Sequence, residues 1–278
     1  MNRDERIRMA KQTVAICDAG FYDAPNGTRV SIAGELAKAK AGTVLCTPEK
    51  PPASTTGGSP RSTRLQVKNE TTFQALARLA AAGSPSPGCL NFASAKNPGG
   101  GFLNGSIAQE EALALASGLY PCLLQAPAFY ERNRANRSAL YLDLAIFSPS
   151  VPFFRNDAGT LLPKPVLASV ITAPAPNAGA IAENEPAQLG QVQPTFRRRA
   201  KLVLQTASAH QIERLVLGAW GCGVFRNDPR FVARVFAELL QPPGEFSGAF
   251  TEVVFAVLDR SDHLSTYRAF AERFGQAG

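Results

Sequence analysis

The chain has 278 residues, 45% of them apolar and 18% charged, with a formal net charge of +7. This composition is ordinary for a globular protein and allows one large domain or two small ones. Five scattered cysteines without a C-x-x-C pair argue against structural zinc and a disulfide framework. Because neither a secretory signal nor a long apolar run is visible, we expect a cytoplasmic protein in a reducing compartment.

Predicted helices and strands alternate along the chain. Helices are predicted over residues 4–19, 35–41, 71–82, 106 onward, 194–209, 229–240 and 262–274. Strands are predicted over residues 65–67, 89–93, 140–147, 166–172, 214–218 and 252–258, with a hairpin turn at 25–27. Loops or irregular segments are predicted over residues 48–63, 120–129, 151–160 and 177–194. This alternation predicts an α/β fold with a central sheet, in which ligands bind beyond the carboxyl ends of the strands.

A glycine triplet, Gly99 to Gly101, follows the predicted strand 89–93. Three residues without a Cβ permit positive φ and let a ligand approach the backbone closely. The alternative is a flexible turn without a ligand, which would have the same sequence pattern. Ser106 and Gln109 have the spacing of a capping box, which predicts a helix beginning at Ser106.

Two adjacent carboxylates, Glu110 and Glu111, fall in the first turns of that predicted helix. Surface glutamates there commonly complement the helix dipole, which is the ordinary alternative. Neighbouring helical residues point about 100° apart, so the pair cannot flank a bond from opposite sides as in most glycosidases. At most one glutamate can be the main acid, and that role requires a pKa raised by burial. Only two histidines occur, neither in an acidic or glycine-rich setting, so carboxylate chemistry is the best enzymatic option.

A second glycine-rich segment, residues 218–225, joins a predicted strand to a predicted helix. Backbone amides at such a junction form an anion site, assisted by the positive end of the following helix. The segment is neither G-x-G-x-x-G nor a P-loop, and a tight packing turn is the alternative. A diphosphate is the ligand we expect.

The glycine triplet, the seven-residue spacing and the sequence Gln109-Glu110-Glu111 together resemble the signature of the poly(ADP-ribose) glycohydrolases, in their short bacterial-type branch. The segment 218–225 resembles the diphosphate-binding loop of macrodomains, the fold of that family. The resemblance implies a three-layer α/β/α core with a mixed central sheet over residues 63–278. Residues 1–62 would form an accessory region packed on that core.

The resemblance also implies the role of each site residue. Glu111 would be the catalytic acid/base, and Glu110 would hold ribose hydroxyls. The family's substrate contacts match these positions: Asn97, Gly99, Gly100, Gly101, Gln109, Gly221, Cys222, Gly223, Val224 and Phe225. Phe225 would order the terminal ribose, and Asn97 would lie near the distal ribose.

The implied reaction is hydrolysis of ribose–ribose O-glycosidic bonds in poly(ADP-ribose), from the chain end, by a monomer in the DNA damage response. Neither metal nor organic cofactor is implied, and ADP-ribosylated proteins are further possible partners. Two alternatives stay open: a non-catalytic reader of ADP-ribose and a mono-ADP-ribosyl hydrolase. A basic cluster lies on a predicted helix and comprises Arg197, Arg198, Arg199 and Lys201. It predicts either a solvated helix face or a surface that binds a polyanion.

Overall fold

The computed structural model describes residues 1–48, 62–83 and 86–275. The helices are α1 Arg3–Ala19, α2 Ala33–Ala41, α3 Thr72–Ala81, α4 Gln109–Ala116, α5 Leu119–Leu123, α6 Pro127–Ala135, α7 Ala178–Asn184, α8 Val192–Ala209, α9 Pro229–Leu240 and α10 Ser265–Phe274. The strands are β1 Phe21–Asp23, β2 Arg29–Ser31, β3 Val44–Cys46, β4 Arg64–Lys68, β5 Gly88–Phe92, β6 Ala145–Arg155, β7 Leu161–Ala173, β8 Arg214–Leu217 and β9 Glu252–Ala256. Short 3-10 helices span Phe102–Asn104 and Pro186–Gln191.

Seven strands form the main sheet, in the order β3-β6-β7-β5-β8-β9-β4. The five strands from β7 to β4 run parallel, whereas β6 is antiparallel to both β3 and β7. β5 therefore lies between β7 and β8, and the carboxyl ends of these three strands meet at one edge. This mixed sheet confirms the predicted fold class.

Helices cover both faces of the sheet. One core cluster joins the sheet to α8, α9 and α10 through residues such as Phe196, Phe236 and Phe270. The other joins it to α2 through α6, with Phe73, Leu113 and other buried side chains. The result is the three-layer α/β/α arrangement that was expected. In the described ranges, no helix combines the length and apolar character needed to cross a bilayer.

The amino-terminal region contributes to both the sheet and its surroundings. β1 and β2 form the predicted hairpin as a separate two-stranded sheet, whereas β3 pairs with β6 at the edge of the main sheet. The division at residue 62 between an accessory region and a core stays a prediction. The predicted loop 48–63 lies largely outside the described residues.

Four predictions about elements were wrong. α4 begins at Gln109, not Ser106, and its N-cap residue Ala108 makes no side-chain cap bond. β6 continues through Pro149 with a register shift between Ser148 and Val151, so the first half of the predicted loop 151–160 is strand and only residues 156–160 form a turn. The segment 177–194 is mostly helical, and the segment 120–129 contains α5 and the start of α6. Pro127 there is the first residue of α6, where a missing backbone N–H costs nothing.

Candidate active site

Gln109 fixes the start of α4 against the sheet. Its side-chain oxygen accepts from the amide of Phe92 at 2.8 Å. Its Nε2 donates to the carbonyl of Leu90 at 2.8 Å and to Thr72 Oγ1 at 3.1 Å. These contacts occupy the side chain that the predicted capping box required, which explains why the helix starts three residues later. Gln109 also lines the cleft described below, and its contact with substrate stays a prediction.

Glu110 is 2% exposed and is held by donors on each carboxylate oxygen. The amide of Ser94 donates to Oε2 at 2.6 Å, and Asn91 Nδ2 donates to Oε1 at 3.2 Å. Burial raises the pKa of Glu110 to about 8, against the opposing effect of these donors. The nearby Glu111 carboxylate raises that pKa further. This burial rules out the ordinary reading of Glu110 as a surface residue.

Glu111 is 8% exposed and has one bound and one unbound oxygen. The amide of Gly101 donates to Oε1 at 2.9 Å. Oε2 is buried and has no hydrogen-bond partner among the described residues. Gly100 has φ +62°, and a Cβ at this position would fall on Oε1 of Glu111. The triplet therefore lies directly against the carboxylate, as closely as a residue without a side chain allows.

Helix α1 supports the loop that follows the triplet. Arg6 Nε donates to the carbonyl of Gly105 at 2.8 Å, and Arg3 Nε donates to that of Asn104 at 3.1 Å. Gly105 has φ +74°, and a Cβ there would lie 2.8 Å from the carbonyl oxygen of Arg3. Thr13 Oγ1 donates to the carbonyl of Leu115, near the end of α4, at 2.7 Å. The first helix thus positions the segment that carries Glu111.

The second glycine-rich loop turns tightly after β8. Gly221 has φ +74°, and a Cβ there would lie 2.6 Å from the Cβ of Ala175. The buried Asn227 side chain donates to the carbonyls of Pro176 and Gly221. Trp220 is fully buried and its indole N–H donates to the carbonyl of Ala173 at 3.1 Å. These contacts tie the loop to the carboxyl end of β7.

The second glycine-rich loop and the start of α4 line one open cleft of about 140 Å³, whereas Gly99 to Gly101, Glu110 and Glu111 are not among the residues that line it. Its walls come from the end of β5, the start of α4 and the second loop, and comprise Phe92, Ala108, Gln109, Ala175, Ala219, Trp220, Gly221, Gly223, Val224 and Phe225. Val224 is 85% exposed, and the ring of Phe225 packs 6.0 Å from that of Tyr141. The amides of Gly223, Val224 and Phe225 donate to no acceptor within residues 1–48, 62–83 and 86–275. Consecutive free amides at a cleft wall suit an anion.

Two other predicted residues differ in their exposure. Asn97 is exposed, and its backbone amide donates to Ser94 Oγ at 3.1 Å. Cys222 is half-buried, and burial raises the pKa of its thiol well above the usual range. The Cys222 side chain is therefore a neutral wall group rather than a nucleophile.

Sequence reasoning missed the residues that support the carboxylates. Asn91 is buried near the end of the largely buried strand β5, and its amide donates to Glu110 and, at 3.2 Å, to Thr172 Oγ1. A polar residue inside an apolar strand was the available signal, because buried amides need partners. Arg6 and Thr13 carried no such signal, since their partners are backbone carbonyls roughly 100 residues away in the chain.

The basic cluster on α8 is neutralised by acids. Arg198 and Arg199 both pair with Asp143, Arg197 pairs with Glu238, and Lys201 pairs with Glu245. Arg199 is fully buried and also donates to the carbonyls of Pro174, Leu140 and Tyr141. One member of the cluster is thus a core residue, and the idea of a uniformly solvated face was wrong.

The chain matches a family model described as "Microbial-type PARG, catalytic domain" over residues 10–156. It also resembles the crystal structure of poly(ADP-ribose) glycohydrolase from Thermomonospora curvata bound to the inhibitor ADP-HPD. That match has a TM-score of 0.91 and 47% identity, and it covers 98% of this chain and 100% of the other. The poly(ADP-ribose) glycohydrolase from Deinococcus radiodurans in complex with ADP-ribose matches with a TM-score of 0.80 and 50% identity, over 87% of this chain and 98% of the other. The comparison with curated proteins gave no match.

The α/β/α fold and the paired carboxylates beneath a glycine triplet define a glycosidase of the macrodomain-like class. The Thermomonospora curvata enzyme matches 98% of this chain at 47% sequence identity, and the family model covers residues 10–156. The chain therefore belongs to the microbial-type poly(ADP-ribose) glycohydrolase family.

Proposed function

We propose that this enzyme hydrolyses the ribose–ribose O-glycosidic bonds of poly(ADP-ribose), acting from the chain end and releasing ADP-ribose. One observation carries the proposal: Glu111 Oε2 is buried without a hydrogen-bond partner in the described part of the chain, on a carboxylate that the glycine triplet holds through Gly101. The similar structures from Thermomonospora curvata and Deinococcus radiodurans contain ADP-HPD and ADP-ribose respectively, which supports the same substrate class here.

Glu111 is the acid/base of the proposed reaction. Its Oε1 is held by Gly101, so Oε2 is the atom free to exchange a proton with substrate. Oε2 protonates the departing ribose 2′-oxygen as the anomeric carbon becomes oxocarbenium-like, and the bond to that oxygen breaks. The resulting carboxylate then takes a proton from the attacking water, whose oxygen bonds to the anomeric carbon. One carboxyl group can serve both steps because the proton that it loses is returned.

Glu110 has a different role in this proposal. Both of its oxygens accept from protein donors, so it is a fixed binding group for ribose hydroxyls and not a mobile acid. Burial raises the pKa of Glu110 to about 8, so the raised pKa that was expected of the main acid is found at Glu110. The assignment of Glu111 as the acid/base rests instead on its Oε2, which has no hydrogen-bond partner among the described residues, and on the family resemblance. Glu110 keeps its own proton near neutral pH. The site then avoids two adjacent negative charges, which burial would make costly.

The second loop would bind the diphosphate. The free amides of Gly223 and Val224 and the tight turn at Gly221 support this role. Phe225 would order the terminal ribose, braced by its contact with Tyr141. Gly99 to Gly101 and Asn97 would line the distal ribose, where a flat glycine surface admits the sugar closely.

We further propose that the enzyme acts as a monomer in the cytoplasm, in the response to DNA damage. The five cysteines are all free thiols, which supports a reducing compartment. ADP-ribosylated proteins would carry the polymer to the enzyme. An exo mode predicts that free oligomers stay scarce early in digestion, whereas their early abundance would contradict it.

The decisive experiment incubates poly(ADP-ribose) with the wild-type enzyme and with Glu111→Gln. The variant should release ADP-ribose at least ~100-fold more slowly, because it lacks the general acid. It should bind ADP-ribose as tightly as the wild type. Binding without release by either protein would instead identify a reader, and release only from a mono-ADP-ribosylated protein would identify a hydrolase of that linkage.

A further inference from the structure

A pair of exposed cations lies beside the distal end of the site. Lys96 immediately precedes Asn97, and the amides of both residues donate to Ser94 Oγ. The amide of Ser94 in turn donates to Glu110 at 2.6 Å. Lys96 is therefore two residues along the chain from Ser94, whose amide binds the Glu110 carboxylate.

Arg134, on α6, joins Lys96 at this position. Its Nη1 donates to the carbonyl oxygen of Lys96 at 2.6 Å. This bond places the Arg134 guanidinium against the loop that carries Lys96 and Asn97.

Neither cation is neutralised by a nearby acid. Among the described residues, no carboxylate lies within ion-pair distance of Lys96 or Arg134, although Glu131 is on the same helix as Arg134. The α8 cations, by contrast, each face an aspartate or glutamate. After its bond to Lys96, the guanidinium of Arg134 keeps further N–H donors for a phosphate.

We propose that Lys96 and Arg134 bind the diphosphate of the ADP-ribose unit on the leaving-group side of the cleaved bond. This rests on the proposed function, in which the ribose 2′-oxygen that departs from the anomeric carbon belongs to that neighbouring unit. Its diphosphate lies one ribose further on and carries two negative charges. Unpaired cations next to the distal ribose are where these charges would be stabilised. The surface therefore distinguishes polymer from free ADP-ribose.

The test measures polymer binding to a protein that cannot turn it over. In the Glu111→Gln background, K96Q/R134Q is compared with K38Q/R268Q, which removes the same charge at exposed positions on α2 and α10. Polymer affinity should fall roughly fivefold to tenfold at low salt for K96Q/R134Q only. The slope of log affinity against log salt should become shallower by about 1.4, the value for two phosphate contacts on a single strand. Arg134→Lys alone should retain most of the affinity.

Binding of free ADP-ribose is the second measurement, and it should be the same in K96Q/R134Q and in the control. An equal loss for ADP-ribose and polymer would mean that these residues only hold the pocket loop, which overturns the proposal. Equal salt slopes for the two double variants would also overturn it. Failure of the proposed function is recognised separately, because the wild-type enzyme would then release no ADP-ribose from polymer.

Discussion

The amide of Gly101 donates to Oε1 of Glu111 at 2.9 Å, so the glycine triplet holds the carboxylate that it covers. The interaction fixes one carboxylate oxygen, whereas Oε2 has no hydrogen-bond partner among the described residues and is the atom that we propose contacts substrate. In the proposed mechanism, the loop backbone is thereby part of the catalytic geometry. Changes in the triplet should therefore act on the chemical step as well as on binding.

Gly100→Ala tests how closely the triplet approaches the acid. An added Cβ would meet Oε1 of Glu111 and displace the carboxylate. We expect kcat to fall by roughly 100-fold, the cost of a misplaced catalytic group. Gly27→Ala is the control, because Gly27 also has positive φ but its Cβ would meet nothing within 4 Å. Both variants strain a backbone at positive φ, but only Gly100→Ala places a Cβ against Glu111. Steady-state kinetics therefore show which effect lowers kcat, and similar kcat values for the two variants would contradict the prediction.

Glu110 should make stability depend on pH. Its pKa is about 8 in the folded protein and roughly 4.3 in an unfolded chain. Between these values the folded state binds more protons, so wild-type stability falls as pH rises through that window. The stability of Glu110→Gln relative to wild type should accordingly increase from about pH 5 to about pH 8, by on the order of a few kcal/mol. Urea unfolding at both pH values measures this difference.

Glu272→Gln is the control for that measurement, since Glu272 is an exposed carboxyl on α10. Its stability difference from wild type should barely change across the same pH range. If the difference in unfolding free energy between Glu110→Gln and wild type also stays constant across this pH range, the buried carboxyl does not hold its proton.

Arg6 should influence turnover although it lies outside the cleft. Arg6→Ala removes the bond to the Gly105 carbonyl and loosens the loop before α4. We expect a loss of about 1–3 kcal/mol in unfolding free energy and a lower kcat, with a smaller effect on KM. Arg8→Ala, an exposed change on the same helix, should alter neither. Partial recovery of kcat in Arg6→Lys would support positioning, and unchanged kcat in Arg6→Ala would argue against it.

Arg199 and Arg198 share Asp143 but should differ greatly in importance. Arg199 is fully buried, and burial lowers the pKa of its guanidinium to about 10. Arg199→Met would leave Asp143 and three carbonyls short of a donor, at a cost of about 3–5 kcal/mol. Arg198→Met removes a half-exposed partner of the same aspartate and should cost less than about 1 kcal/mol. Denaturant unfolding of the two variants gives the comparison, and equal losses would contradict it.

The sequence predicted elements best where local signals and packing agreed. Helix α9 begins at Pro229 after the capping residue Asp228 and ends at Leu240, as its apolar periodicity indicated. β6 was misjudged because Pro149 looks like a strand end, yet it lies at an irregularity where the ladder is already interrupted. Helix α7 was missed because its Ala, Gly and Asn residues have no clear apolar stripe.

The site shows the same division between local and long-range signals. The glycine triplet, Glu110 and Glu111 could be singled out because they are close in sequence. Their burial could not be predicted, because it depends on the tertiary packing of α4 against β5, β6 and α1. The Gln109 side chain matched a capping box locally, but Phe92, Leu90 and Thr72 offered it three bonds instead of one.

The close fit of Gly105 against the first turn of α1 has a consequence for recombination between relatives. Residues 3–7 and 102–105 are matched surfaces, and the glycine tolerates no side chain between them. A chimera with a crossover between the two stretches would inherit each surface from a different parent. Such hybrids should be viable mainly when both parents share the arginines and the glycine, so these two distant stretches should be inherited together.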